Sequence, residues 1–146
     1  MNRKSYSFLS VAAALLALSV FATSAETNLK QIMQGLRDDV VVITDGLLNE
    51  DLVSVAEGAT RIASHARIPP AQVQLVAAEL GAEMPAFKQF DITVHDLSLS
   101  IANAAEKGDR DQVIADFQEM LTGCLACHAT YKDRVGAVLG EAGTDN

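Results

Sequence analysis

From Leu29 onward, apolar residues return at alternating steps of three and four, the spacing of one face of an α-helix. The first stripe is Leu29, Met33, Leu36, Val40, Ile43 and Leu47. Val40-Val41-Val42-Ile43 is β-branched, but the longer helical period outweighs that local strand preference. Asn49-Glu50-Asp51 reads as a turn in which Asn49 or Asp51 caps the next helix. The second stripe is Leu52, Val55, Ala59, Ile62 and Ala66; its small residues let a neighbouring helix come close, and Pro69-Pro70 ends it. The region from Ala71 to Lys107 is interrupted at Gly81 and Pro85. That predicts a short helix, a break, and a long helix with the stripe Phe87, Phe90, Val94, Leu97, Ile101, Ala104. Lys107-Gly108-Asp109 combines a helix-ending glycine with an N-cap aspartate. The last stripe is Ile114, Phe117, Leu121, Cys124, His128, Tyr131, Val135 and Val138. Long amphipathic segments with short connections predict an all-α, antiparallel four-helix bundle over residues 26–139, with 140–146 as a frayed tail. No period-two alternation is sustained, and no helix-length repeat suggests a solenoid.

Residues 1–25 break the pattern. Arg3 and Lys4 precede an apolar run from Phe8 to Phe21, and Ala22-Thr23-Ser24-Ala25 supplies small residues for cleavage. This order matches a cleaved secretory signal, so the product is expected in the periplasm. The rival, a membrane anchor, needs about 20 apolar residues, more than the run provides. No second apolar run approaches that length, so no span is expected after processing.

Charge then narrows the partners. The chain carries 11 Lys+Arg against 19 Asp+Glu, a formal net charge of -8. It lacks the basic footprint of a nucleic-acid binder, and anionic membrane surfaces are poor partners. Asp38-Asp39, Glu50-Asp51 and the acids between 109 and 111 read as solvated faces and caps, and they suit a basic redox partner protein.

Chemistry is concentrated in Cys124-Leu125-Ala126-Cys127-His128, a C-x-x-C-H run that holds both cysteines of the chain. It is the attachment signature of c-type haem. Thiols three residues apart share a helix face and each can add to one porphyrin vinyl group. The next imidazole, His128, is then near enough to bind the iron. Cys124 and His128 both fall on the predicted core stripe, so the motif is expected to point inward. Gly123 removes a side chain beside it, leaving room for a macrocycle. A redox C-x-x-C would want a βαβ context, which is missing. A structural zinc site would need a fourth ligand from His65 or His95.

These residues give the chain a resemblance to the cytochrome c-prime class, including its low-spin relatives. The matching residues are Phe117, Gly123 to His128 and Tyr131-Lys132, with Leu29 to Gln34 in the first helix. The resemblance covers essentially all of residues 26–139. It implies one covalent haem on the last helix of a four-helix bundle and a function in electron transfer. It also implies a distal ligand at Met33 in the low-spin members. In five-coordinate members the open iron binds NO or CO. Arg37 and Lys132 are its candidate propionate contacts; Lys132 departs mildly, because an Arg is common there. A homodimer is likewise implied by the resemblance alone.

Simpler roles stand beside these. Met33 fits a plain core position, and Met84 and Met120 read as core or boundary residues. His65 and His95 lie one residue off their stripes, where a histidine is solvated or hydrogen-bonded; either would give bis-His ligation if its helix rotated. Glu79 and Glu83 lack a nucleophile that would make them a catalytic pair, and no distal acid–base pair can be placed, so enzymatic chemistry is not expected.

Overall fold

The structure, a computed structural model, describes residues 28–140. The segment read as a signal lies outside the described residues, as does the tail beyond Gly140. Helix α1 spans Leu29–Leu48, α2 Leu52–Ala63, α3 Pro70–Leu80, α4 Met84–Glu106 and α5 Arg110–Val138, with a short 3-10 turn at Gly81–Glu83. No strand occurs among the described residues.

Local chemistry sets the boundaries. Asn28 and Gln31 form a reciprocal capping box at the start of α1. Asp51 caps α2 by accepting from the backbone N–H of Val53 and Ser54. Gly108 takes a left-handed φ of 76° and Asp109 accepts from the Gln112 N–H, so α4 stops and α5 starts within three residues. Helix α2 ends earlier than its stripe suggested. The Ser64 N–H and hydroxyl both donate to the Thr60 carbonyl, which closes the helix and leaves Ala66 exposed in the connection. Pro70 does not merely stop α2; it opens α3 at a position where its missing N–H costs nothing.

The helices form an all-α bundle. Close packing runs from α1 to α2, from α2 to α4 and from α4 to α5, with α3 laid against α4 and α5. Each neighbouring pair is antiparallel: Glu50 at one end of α2 meets Arg110 beyond the end of α4, while His65 at the other meets Asp91 early in α4. The α1–α2 contact is tight because Gly46 and Gly58 leave out side chains there; a Cβ on Gly58 would sit 2.9 Å from Ile43 Cγ1 and 3.1 Å from the Asp39 carbonyl. No described helix is long and apolar enough to cross a membrane.

Two buried clusters hold the bundle. The first joins α1, α2, α4 and α5 through Ile43, Val55, Ile62, Ile101, Val113 and Met120. The second gathers Leu29, Val76, Leu80, Tyr131 and Val135 at the far end. There the edges of Phe87 and Phe90 approach Tyr131 with ring centroids 5.4 and 6.2 Å apart. The α5 stripe differs from its sequence reading: Val113 and Met120 are fully buried, whereas Ile114 and His128 are exposed. A 29-residue helix drifts against a strict three-four pattern, so neighbouring positions exchange places along it.

Candidate functional site

Cys124 and Cys127 lie in the middle of α5, far from either helix end. Both are half-buried free thiols. Cys124 packs against the first cluster and Cys127 against the second, so the pair straddles the junction between them. Burial raises the pKa of both. For Cys127 burial acts together with the negative charges of Cys124 and Asp91, and the thiol is pushed up to about 11. A redox or nucleophilic cysteine needs the opposite, a thiolate stabilised by a helix N-terminus or a cation. The arrangement therefore disfavours a thioredoxin-like role.

His128 does not point into the bundle as expected; it is exposed. Four residues of helix carry it about 40° round from Cys124. Gly123 lies on the opposite flank and faces Val94 of α4, where an added Cβ would make an ordinary contact at 3.7 Å. The space it leaves thus belongs to a groove between α4 and α5, lined by Phe90, Thr93, Glu119 and Thr122. His128 is not among the residues that line that groove.

The backbones of α1 and α5 make little close approach, unlike the pairs α1–α2, α2–α4 and α4–α5. Along α1, Leu29 joins the cluster of Cys127 and Leu36 the cluster of Cys124, so Met33 lies between those two levels. Met33 is not a core residue: it is 38% exposed. Arg37, one turn on, is exposed and donates from Nε and Nη2 to Asp38 Oδ1 at 3.2 and 2.8 Å. Lys132 is exposed on α5 one turn beyond His128. Of the residues singled out from the sequence, Cys124, Cys127, His128 and Lys132 thus lie on consecutive turns of α5, and Met33 and Arg37 lie one turn apart on α1. Met120 is a core residue and Met84 a partly buried boundary residue; the Met120 sulfur accepts from the Ser98 hydroxyl at 3.2 Å.

The other histidines are engaged elsewhere. His95 Nδ1 lies 3.1 Å from Asp96 Oδ1. His65 has Nδ1 2.8 Å from the Ala66 carbonyl and Nε2 3.5 Å from Asp91 Oδ1. Acceptors face both ring nitrogens, so the cationic ring suits the site best. The hydrogen bond to Asp91 raises the His65 pKa against the opposing effect of burial, and the same bond lowers that of Asp91. The pair accordingly stabilises the fold between the two titrations. That contribution is lost when pH rises through the raised His65 value, or falls through the lowered Asp91 value. Among the described residues no group of three or more His, Cys, Asp or Glu is placed to hold a metal ion, so neither His65 nor His95 completes a zinc site with the motif.

Two residues of this neighbourhood escaped the sequence reading. Asp91 had no signal beyond being an acid on a helix. Arg134 bridges Glu79 and Glu83, at 3.2 and 3.0 Å, and clips α3 to α5; the spacing of the two glutamates was the only hint. Compared with protein-family models, curated proteins and solved structures, the chain has no match.

Proposed function

We propose that this chain is an exported c-type cytochrome that carries one haem, linked by thioethers to Cys124 and Cys127 with His128 as axial ligand, and that it passes electrons to and from redox partner proteins. The observation that supports the reading is the C-x-x-C-H run in the middle of α5, where two half-buried thiols three residues apart share one helix face and the adjacent imidazole is exposed. The donor set fits a c-type haem: two thiols at a helical step of three, then an imidazole free of any core contact. The resemblance to the cytochrome c-prime class supports the same assignment, and the pattern of residues 1–25 supports a periplasmic location.

When bound, such a haem supplies a one-electron iron couple and no substrate bond is made or broken. The chain's own residues do the rest. The first cluster keeps the bundle rigid behind the motif. Met33 on α1 offers a thioether as a distal ligand that would raise the reduction potential. Arg37 on α1 and Lys132 on α5 offer cations suited to the haem carboxylates.

A second reading rests on one observation. Met33 is exposed, and no core contact fixes its thioether. Without that ligand the iron would be five-coordinate and open to NO or CO.

The test is the protein matured in cells that attach haem c. A coloured product that keeps its haem through acid–acetone extraction, and a mass one haem above the processed polypeptide, are expected; Cys124→Ala with Cys127→Ala should abolish both. A colourless product of bare polypeptide mass would overturn the proposal. Met33→Ala should convert a low-spin spectrum to a high-spin one. A wild-type spectrum that is already high-spin, with rapid change on adding NO, would favour the second reading.

A further inference from the structure

The ion pair between His65 and Asp91 crosses from the end of α2 to α4, and it stands beside the attachment site. Asp91 follows Phe90 on α4, and Phe87, Phe90 and Cys127 pack against the same buried cluster, which brings this stretch of α4 to the level of Cys127; its charge opposes the Cys127 thiolate. The titratable and charged groups felt at the pair are Asp91 and His95 from α4 and Cys127 from α5. His65 is the better shielded partner, with its side chain 23% exposed against 62% for Asp91.

We infer that His65, held by Asp91, is a proton-binding site coupled to the redox state of the group that Cys127 carries. The inference rests on the haem reading above and adds a regulation of that site. The coupling follows from charge and geometry. The Nδ1–H donates to the Ala66 carbonyl, a bond the neutral ring keeps. The titrating proton is therefore the one on Nε2, which faces Asp91. Without it, the Asp91 charge stands uncompensated beside Cys127 and favours the oxidised, more positive centre. With it, the pair is close to neutral and the reduced centre is favoured. If a partner protein reduced the group held at Cys127, His65 Nε2 would take up a proton from solvent at pH values between its titrations in the two redox states. Oxidation would release it again. Linkage makes the effect reciprocal: reduction raises the proton affinity of His65, and protonation of His65 raises the reduction potential.

The measurement is the midpoint potential of the haem-loaded full chain, by spectroelectrochemistry, as a function of pH. The potential should fall as pH rises through the His65 titration, by about 59 mV for each tenfold difference in proton affinity between the two redox states. His65→Gln should flatten that part of the curve. Asp91→Asn should move it to lower pH, because it removes the bond that holds the proton, and His95→Gln should leave it in place. The His65 ring signal, followed by NMR in ferric and ferrous wild-type protein, should titrate at a higher pH in the ferrous state; this readout does not depend on any variant folding. Equal ring titrations in the two states, or superimposable curves for wild type and His65→Gln with haem in place, would overturn the inference and leave the proposed function standing. Failure to carry haem would remove the proposed function itself, so the two failures are told apart by colour and mass.

Discussion

The two buried clusters of this bundle are built differently. The first is mostly aliphatic and sealed at its centre: Ile43, Val55, Ile101, Val113 and Met120 are all fully buried at 0% exposure, with Phe117 beside them and partly buried residues such as Leu36, Val94 and Leu121 at the edge. The second is more aromatic and looser. Tyr131 is buried, but Phe87, Phe90, Met84 and Cys127 around it are only partly covered. The first has a centre closed to solvent, and no residue of the second reaches 0% exposure. Both cysteines of the motif sit where the two meet. A fold that concentrates its rigidity at one end can leave the other incomplete without coming apart, and incompleteness is what a site for a large planar group requires.

The largest test of that contrast is a pair of truncations measured by denaturant unfolding. Ile101→Ala removes three carbons from the sealed cluster and should cost about 2–5 kcal/mol. Phe87→Ala removes a larger side chain, yet one already part-solvated, and should cost only about 1–2 kcal/mol in the protein without haem. The gap between the two should narrow once haem is attached. An equal gap in both forms would mean that the looseness of the second cluster has no connection with the site.

The second test concerns how the sealed end closes. At Gly58 an added methyl group would press on Ile43 and on the Asp39 carbonyl, part of it against backbone that cannot swing aside. Gly35, on the same pair of helices, has nothing within 4 Å of the position a Cβ would take. The same substitution should therefore act with opposite sign. Gly58→Ala is expected to lose about 1–3 kcal/mol, whereas Gly35→Ala should gain about 0.5–1 kcal/mol from helix propensity alone. Thermal melts of the two variants decide it; a gain at both sites would show that α1 and α2 have room to separate.

The same contrast explains what could be seen in the sequence. Helix order, the capping of α2 by Asp51 and the Gly108-Asp109 junction were legible because each depends on residues a few positions apart. That a neighbour comes close to α2 was legible for a similar reason, from the small residues of its stripe; that the neighbour is α1, and that Gly46 and Gly58 make the contact, was not. The motif itself is a local spacing. What the sequence misjudged was rotation. Ile114 and His128 were assigned to the core because a three-four pattern fits α5 in either of two adjacent registers, and only the packing of Val113 and Met120 chooses between them. Met33 departs in the same way: its stripe position is apolar, but the residue is 38% exposed. Asp91 and Arg134 were invisible because their partners, His65 and the glutamates of α3 and the following turn, are distant in the chain.

The smallest effect is expected at α3, the helix that covers the second cluster with Val76 and Leu80. Its charged anchor is Arg134, which donates from Nε to Glu79 and from Nη1 to Glu83. These groups are exposed, so solvent screens them and Arg134→Gln should leave the melting temperature of the whole chain within error. The consequence should be local. Without the clip, α3 keeps its apolar contacts but loses the bonds that hold its C-terminal end to α5. Backbone amides near Val76 and Leu80 should exchange with deuterium faster, while those around Ile101 in α4 stay protected. Added salt should produce the same pattern in wild type, because it weakens the same ion pairs. If α3 and α4 instead exchange together in the variant, the two ends of the bundle open as one unit, and the division between a sealed core and a loose one describes packing but not stability.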